Sequence, residues 1–212
     1  MDRPLVETDP RRIPRRRVAA LVLGALGLAL VTIEGRGREL DDRMFGFANG
    51  RLHNRALDLF FRGITELGSM YASVAAAGAI ALRGRRREAL DALGAAMAMW
   101  GVGQSLKNLF RRARPYEAEL PRPLRLLIGK PVGSSWPSVH PATLLAFLTV
   151  AGRDLELTLG VRRGLAGAAA SVAASRVYLG VHYPADVVGG LLLGRAVADV
   201  WSRAVSPRVL GR

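Results

Sequence analysis

The chain contains no cysteine in 212 residues. That excludes a disulfide framework, a thiolate metal site and a cysteine nucleophile, and it leaves the compartment open. Lysine is almost missing as well, with only Lys107 and Lys130. Histidine is confined to His53, His140 and His182. No cluster of carboxylates stands ready to hold a hard cation, so neither a metal nor a cofactor is expected.

What the chain does have is arginine and apolar sequence. Basic residues outnumber acidic ones 31 to 17, for a formal net charge of +14, and 50% of the residues are hydrophobic. A length of 212 residues suggests one domain, or at most two small ones. A basic chain can bind nucleic acid. Here, however, the arginines fall in short clusters at 11–17, 83–87 and 162–163, between apolar runs. Such punctuation marks the cytoplasmic flanks of membrane helices. The expected partner is therefore the lipid bilayer and not nucleic acid. A soluble helical bundle with an apolar core is the competing reading.

The run at 18–33 follows an arginine-rich start and resembles a signal peptide. No clear small-x-small cleavage site follows it and several more apolar runs do, so it reads as an uncleaved first span with its N-terminus in the cytoplasm. Leu57, Phe60, Phe61 and Ile64 recur at helical spacing, with Asp58, Arg62 and Glu66 off that stripe. They predict an interfacial helix leading into a second span at 67–82. Further spans are expected at 89–106, 141–151, 165–179 and 187–200. Several of these are shorter than the roughly 20 residues a ~30 Å core requires. Abundant Ala and Gly would let such helices pack closely. The expected fold is all-α: a six-span transmembrane bundle with an active site at one membrane face. The basic N-terminus is 1–17, the first two spans and the interfacial helix 18–88, the core 89–205 and the tail 206–212. Both termini would lie inside, with the 34–66, 107–136 and 180–186 loops outside. The outer 107–136 loop is strongly basic, against the positive-inside bias, which makes its charges functional candidates.

Three stretches fall on that outer side. In "KNLFRRARP" Lys107 and Arg114 are seven apart, so on one helix they would share a face with Arg111 between them. Pro115 is expected to end that helix just after Arg114. Cations at a helix end can hold a phosphate dianion, or serve as a stop signal or a lipid-headgroup contact. In "PSVH" Ser138 can cap the next helix and donate to an anion, beside N-terminal N–H groups. His140 could protonate a departing oxygen; alternatively the stretch is only a capped helix start. In "SRVYLGVHYPAD" Arg176 is another cation, and His182 and Asp186 are four apart across Pro184. That spacing lets a carboxylate hold one imidazole N–H and leave the other nitrogen as a nucleophile, or it makes a structural His–Asp pair. His53 has no such setting and reads as a surface residue.

Taken together, Lys107 with Arg114-Pro115, Pro137-Ser138-x-His140, and Ser175-Arg176 with His182 and Asp186 resemble the three-part signature of the type 2 phosphatidic acid phosphatase family. The K-x6-R-P and S-R-x5-H-x3-D spacings fit, as does the order, and the likeness covers residues 89–200. That family also includes soluble acid phosphatases and vanadate-dependent haloperoxidases. The resemblance implies that His182 attacks phosphorus and forms a phosphohistidine, that Asp186 orients it, and that His140 protonates the leaving oxygen and then activates water. It implies that Lys107, Arg114, Arg176 and Ser138, with backbone N–H groups, hold the phosphate, and that no metal takes part.

Val139 departs from the pattern, which usually has Gly there. Gly permits positive φ and close approach of the backbone to an anion. Val keeps its N–H but disfavours φ > 0. With negative φ the anion contact survives and only the pocket wall changes; with positive φ the contact is lost. The favoured reading is the first, with Val139 still counted among the substrate-binding positions. The resulting expectation is a metal-independent membrane phosphatase acting on a lipid phosphate or diphosphate, either a polyprenyl phosphate type or a phosphatidyl phosphate. The Ala-, Arg- and Gly-rich composition suits a high-GC bacterium, hence cell-envelope lipid metabolism and an inner-membrane protein with its site on the extracytoplasmic side. A non-catalytic lipid-phosphate binder is the alternative.

Overall fold

The computed structural model describes residues 13–33, 35–52, 54–118 and 124–211. His53 and residues 1–12 of the basic N-terminal segment lie outside them. The described residues are helical, with no strand. The helices are α1 (Arg15–Ile33), α2 (Arg38–Gly50), α3 (Arg55–Thr65), α4 (Met70–Leu82), α5 (Arg86–Phe110), α6 (Val139–Asp154), α7 (Leu159–Tyr178), α8 (Pro184–Ala204) and α9 (Ser206–Leu210). Each apolar run in the sequence lies on a helix near its expected place, the second starting three residues late. Among the described residues, only α1 is by itself long and apolar enough to cross a membrane. At about 1.5 Å per residue, α4 reaches only about 20 Å. It meets the length requirement only together with α3, from which it is bent by 64° at the short 3₁₀ turn Glu66–Gly68.

Ser69 accepts from the Ala72 N–H and caps α4, so the second apolar helix begins at Met70 and not at residue 67. On α3, Leu57, Phe61 and Ile64 turn partly inward as expected, while Phe60 is exposed. Asp58, expected off the buried stripe, is drawn in by the Tyr178 hydroxyl at 2.6 Å and by the Arg125 guanidinium at 3.0 Å.

Small side chains set the core. Ala92, Ala95 and Ala96 of α5, Ala142 and Ala146 of α6, Ala25 and Ala29 of α1 and Ala198 of α8 are fully buried and bring these helices close together. Closest of all is α8 against α6. A Cβ on Gly190 would lie 2.4 Å from the Ser138 carbonyl oxygen, and one on Gly194 2.4 Å from that of Ala142. The Ser138 N–H donates to the Asp186 carbonyl at 3.0 Å across the same seam. These contacts hold the start of α6 beside the start of α8. Backbone cannot yield there as a side chain could, so Gly190→Ala is expected to cost about 1–3 kcal/mol. A thermal melt checks this, and an unchanged Tm would show the seam to be slack.

Candidate active site

The ends of four helices meet at one end of the bundle: the C-termini of α5 and α7 and the N-termini of α6 and α8. Lys107, Ser138, Val139, His140, Arg176 and Asp186 sit on those ends, and Arg114 and His182 on the adjoining loops.

Arg114 is not on α5. That helix stops at Phe110, where Arg111 adopts a left-handed conformation (φ 45°, ψ 36°) and returns its N–H to the Lys107 carbonyl. The expected shared helical face of Lys107, Arg111 and Arg114 therefore does not exist. Pro115 acts one step earlier than anticipated, by forcing Arg114 itself into an extended conformation (φ −82°, ψ 161°). Side chains alternate in an extended segment, so Arg112 and Arg114 are buried while Arg111 and Ala113 face out. Arg114 is 1% exposed. Its Nε donates to the Gly133 carbonyl at 2.7 Å and its Nη1 to that of Val181 at 3.0 Å. Arg111 stays outside the cluster and donates to its own helix at the Asn108 carbonyl.

His182 follows a turn that needs Gly180, whose φ is +85° and whose Cβ, were there one, would sit 2.5 Å from the Arg125 carbonyl oxygen. The imidazole is buried. Its Nδ1 lies 3.5 Å from Asp186 Oδ2, and its Nε2 lies 3.3 Å from Arg114 Nη1. This arrangement fits a neutral ring protonated at Nδ1 with Nε2 accepting. Burial pushes the His182 pKa down to about 3, against the opposing pull of Asp186. Asp186 is wholly buried and also accepts from Ser135 Oγ and from the Tyr183 N–H.

Arg176 is 4% exposed and donates to Thr65 Oγ1 at 2.9 Å. Its Nε has no hydrogen-bond partner among the described residues, and neither does Ser138 Oγ. Ser138 does occupy the N-cap of α6, but its side chain makes no cap hydrogen bond. The expected double role is thus reduced to a buried, uncommitted hydroxyl. Val139 is the first residue of α6 and is not among the residues with positive φ. Its N–H keeps the helix-start direction, and its side chain turns away toward α5, where Gly103 makes room for it.

His140 lies ahead of the expected fourth span, half-buried. Burial, and then the charges of Arg176, Lys107 and Arg114, push its pKa down to about 3. Lys107, just past the expected third span, is pushed down to about 8 by burial and then by Arg114. A cavity of about 500 Å³ opens beside Lys107, lined by Asn108, Arg111, Arg112 and Ser134 among others. No group of His, Asp and Glu side chains among the described residues could hold a metal.

Residues 88–209 match the family model described as the PAP2 superfamily. The chain belongs to the PAP2 superfamily. Decaprenylphosphoryl-5-phosphoribose phosphatase of Mycobacterium tuberculosis is 34% identical over 142 residues, spanning 66% of this chain and 75% of that protein. The protein of the same name from Mycolicibacterium smegmatis is 34% identical over 125 residues, 59% of this chain and 64% of that one. Among solved structures, the transmembrane PAP2-type phosphatidylglycerolphosphate phosphatase from Bacillus subtilis superposes with a TM-score of 0.69 at 23% identity, covering 87% of this chain and 94% of that one. Aquifex aeolicus LpxE gives 0.63 at 28% identity, covering 76% and 92%.

Motif spacing missed four residues of this PAP2 site. They are Arg112 and Ser135, bonded to Asp186, Thr65, bonded to Arg176, and Asp41, bonded to Arg112 and to the Ala185 N–H beside Asp186. For Arg112 a signal existed: the i, i+2 arginine pair in front of a proline.

Proposed function

We propose that the chain is an integral membrane phosphatase that hydrolyses a lipid phosphate or diphosphate through a phosphohistidine, in bacterial cell-envelope lipid metabolism. The observation that carries this reading is the buried His182–Asp186 pair facing Arg114, with His140 under the charges of Arg176, Lys107 and Arg114.

In this mechanism Lys107, Arg114 and Arg176 hold the phosphoryl oxygens. Ser138 Oγ, Arg176 Nε and the N–H groups at the start of α6 supply further donors. His182 Nε2 attacks phosphorus in line, and the leaving oxygen takes a proton from His140. His140 then accepts a proton from the water that hydrolyses the P–N bond. His140 is neutral in the free site because burial disfavours its charge and, secondarily, because three cations lie near it, and a bound phosphate dianion offsets those same cations. Substrate binding therefore raises the proton affinity of His140 when an acid is required. The cations supply the charge stabilisation that a metal supplies elsewhere, so turnover is expected to withstand chelation.

The orientation of the bundle supports six spans with the site on the extracytoplasmic side. Arg17 pairs with Asp199 near the C-terminal end of α8, and Arg85 donates to the carbonyl of Asp154 where α6 ends. The arginine clusters thus gather at the end opposite the site, as the positive-inside rule requires of a cytoplasmic face. Burial of Arg112 and Arg114 among carboxylates, carbonyls and the imidazole reduces the exposed positive charge of the basic outer loop, which supports that side. Exposed Leu23, Leu30, Leu90, Met97 and Leu109 on α1 and α5 suit contact with lipid chains. The mycobacterial relatives favour a polyprenyl phosphate-type substrate. The binder alternative rested on Val139, whose backbone geometry no longer argues for it.

Purified protein should release phosphate from at least one of a polyprenyl phosphate, a polyprenyl diphosphate, a polyprenyl phosphoryl sugar phosphate and a phosphatidyl phosphate, with and without chelator. Lipid binding without release from any of them would replace the enzyme reading with the binder. A pH profile offers a second check. Lys107 carries its charge below about pH 8 and loses it above, so kcat/KM is expected to fall as pH rises through about 8. Lys107→Arg should move that limb upward, and an unmoved limb would remove Lys107 from the phosphate site.

A further inference from the structure

The mechanism uses only the Oδ2 edge of Asp186. Its other oxygen belongs to a second network. Arg112 Nη1 donates to Asp186 Oδ1 at 2.6 Å, and Arg112 Nη2 donates to Asp41 Oδ2, also at 2.6 Å. Asp41 turns its remaining oxygen to the N–H of Ala185, the residue before Asp186, at 2.9 Å. The Tyr183 ring lies 4.3 Å from the guanidinium carbon and fixes its plane. Asp41, Arg112 and Asp186 are 4%, 6% and 0% exposed, so solvent screens them little.

We propose that Asp41 is a positioning residue for phosphoryl transfer, acting through Arg112 to keep a net negative charge behind His182. The inference rests on the phosphatase reading above. Arg112 and Asp186 alone would be a neutral buried pair. Adding Asp41 leaves one buried negative charge uncompensated, which is costly to a resting fold. Burial accordingly pushes the Asp41 pKa up even with Arg112 against it. That cost is offset where a positive charge develops. As Nε2 bonds to phosphorus, the P–O bond breaks, its electron pair leaves with the oxygen and His140 supplies the proton. The ring keeps its Nδ1 proton and becomes an N-phosphoryl imidazolium. Its new charge faces the triad, and it disappears when water cleaves the P–N bond. Asp41 lies on α2, ahead of residue 88 where the family match begins. The N-terminal segment is therefore part of the catalytic electrostatics as well as an anchor.

Asp41→Asn keeps the shape and an acceptor for the Ala185 N–H but removes the charge. Partners behind metal-ligating side chains carry about 10–100-fold in affinity or activity, and a loss on the same scale is expected here. The expected result is a fall in kcat of that size, with KM within about threefold because no phosphate-holding cation is touched. In the double variant Asp41→Asn/Arg112→Gln the charge behind His182 is again negative, so it should turn over no more slowly than Asp41→Asn alone. Arg112→Lys can hold one carboxylate but cannot span two. It keeps the triad's net charge, so kcat should stay within about threefold of the parent, and it serves if Asp41→Asn does not stay folded in detergent. Rates are to be taken per folded molecule by size-exclusion. Asp41→Asn with kcat within threefold of the parent, Arg112→Lys with a loss of tenfold or more, or multiplicative losses in the double variant, would overturn the proposal alone. A parent that releases no phosphate from any lipid would overturn the phosphatase reading and this proposal with it.

Discussion

His182→Ala is expected to abolish phosphate release while leaving the bundle folded. Losing the proposed nucleophile should lower kcat by about 10⁴-fold or more, the scale found when a covalent nucleophile is deleted. The structure explains why the fold should survive. Asp186 retains Arg112, Ser135 and the Tyr183 N–H, and Arg114 retains the carbonyls of Gly133 and Val181. No buried charge is stranded by the change. The measurement is single-turnover phosphate release beside lipid binding by the same preparation. Residual activity within tenfold of the parent would remove His182 from the role of nucleophile.

The second large effect belongs to His140→Ala, and its size should depend on the substrate. A lipid alkoxide is a poor leaving group and needs the proton that His140 gives, so kcat should fall by about 10²–10⁴-fold. An aryl phosphate leaves readily as a phenolate and should lose far less in the step that forms the phosphohistidine. Comparing a lipid phosphate with an activated aryl phosphate in pre-steady-state bursts tests this. Equal losses in the burst phase would show that His140 holds the phosphate rather than protonating its partner. The variant should fold, because His140 packs at the surface of the site, with Gly68 of the 3₁₀ turn against its Cβ.

Much of this was legible in the sequence because it is local. Apolar runs bounded by arginines located the six helices expected as spans, and three short motifs named the side chains to which the proposed mechanism gives phosphoryl transfer and phosphate binding. The unread part is long-range or depends on backbone geometry. Asp41 meets Arg112 across 71 residues and Ala185 across 144, and Thr65 meets Arg176 across 111. No periodicity within a helix encodes such pairings. The end of α5 was misplaced because a proline was read as a stop four residues downstream, when it instead stretches the segment before it. The capping role given to Ser138 was sensible by residue type, yet its hydroxyl is left uncommitted. The six expected spans were placed by composition, which cannot see that α4 is short and depends on α3 for its reach.

Val139 and Gly103 share one space between two helices. A Cβ at Gly103 would fall 2.6 Å from Val139 Cγ2, so a single volume between α5 and α6 is occupied by one residue or the other. The valine that departs from the expected pattern is therefore accommodated by the missing side chain at Gly103, and the helix seam closes around it. Reverting Val139→Gly alone would open a hole in the helix seam, and enlarging Gly103 alone would pry the seam apart. Only the paired change leaves the volume filled, so neither position is free to drift without the other.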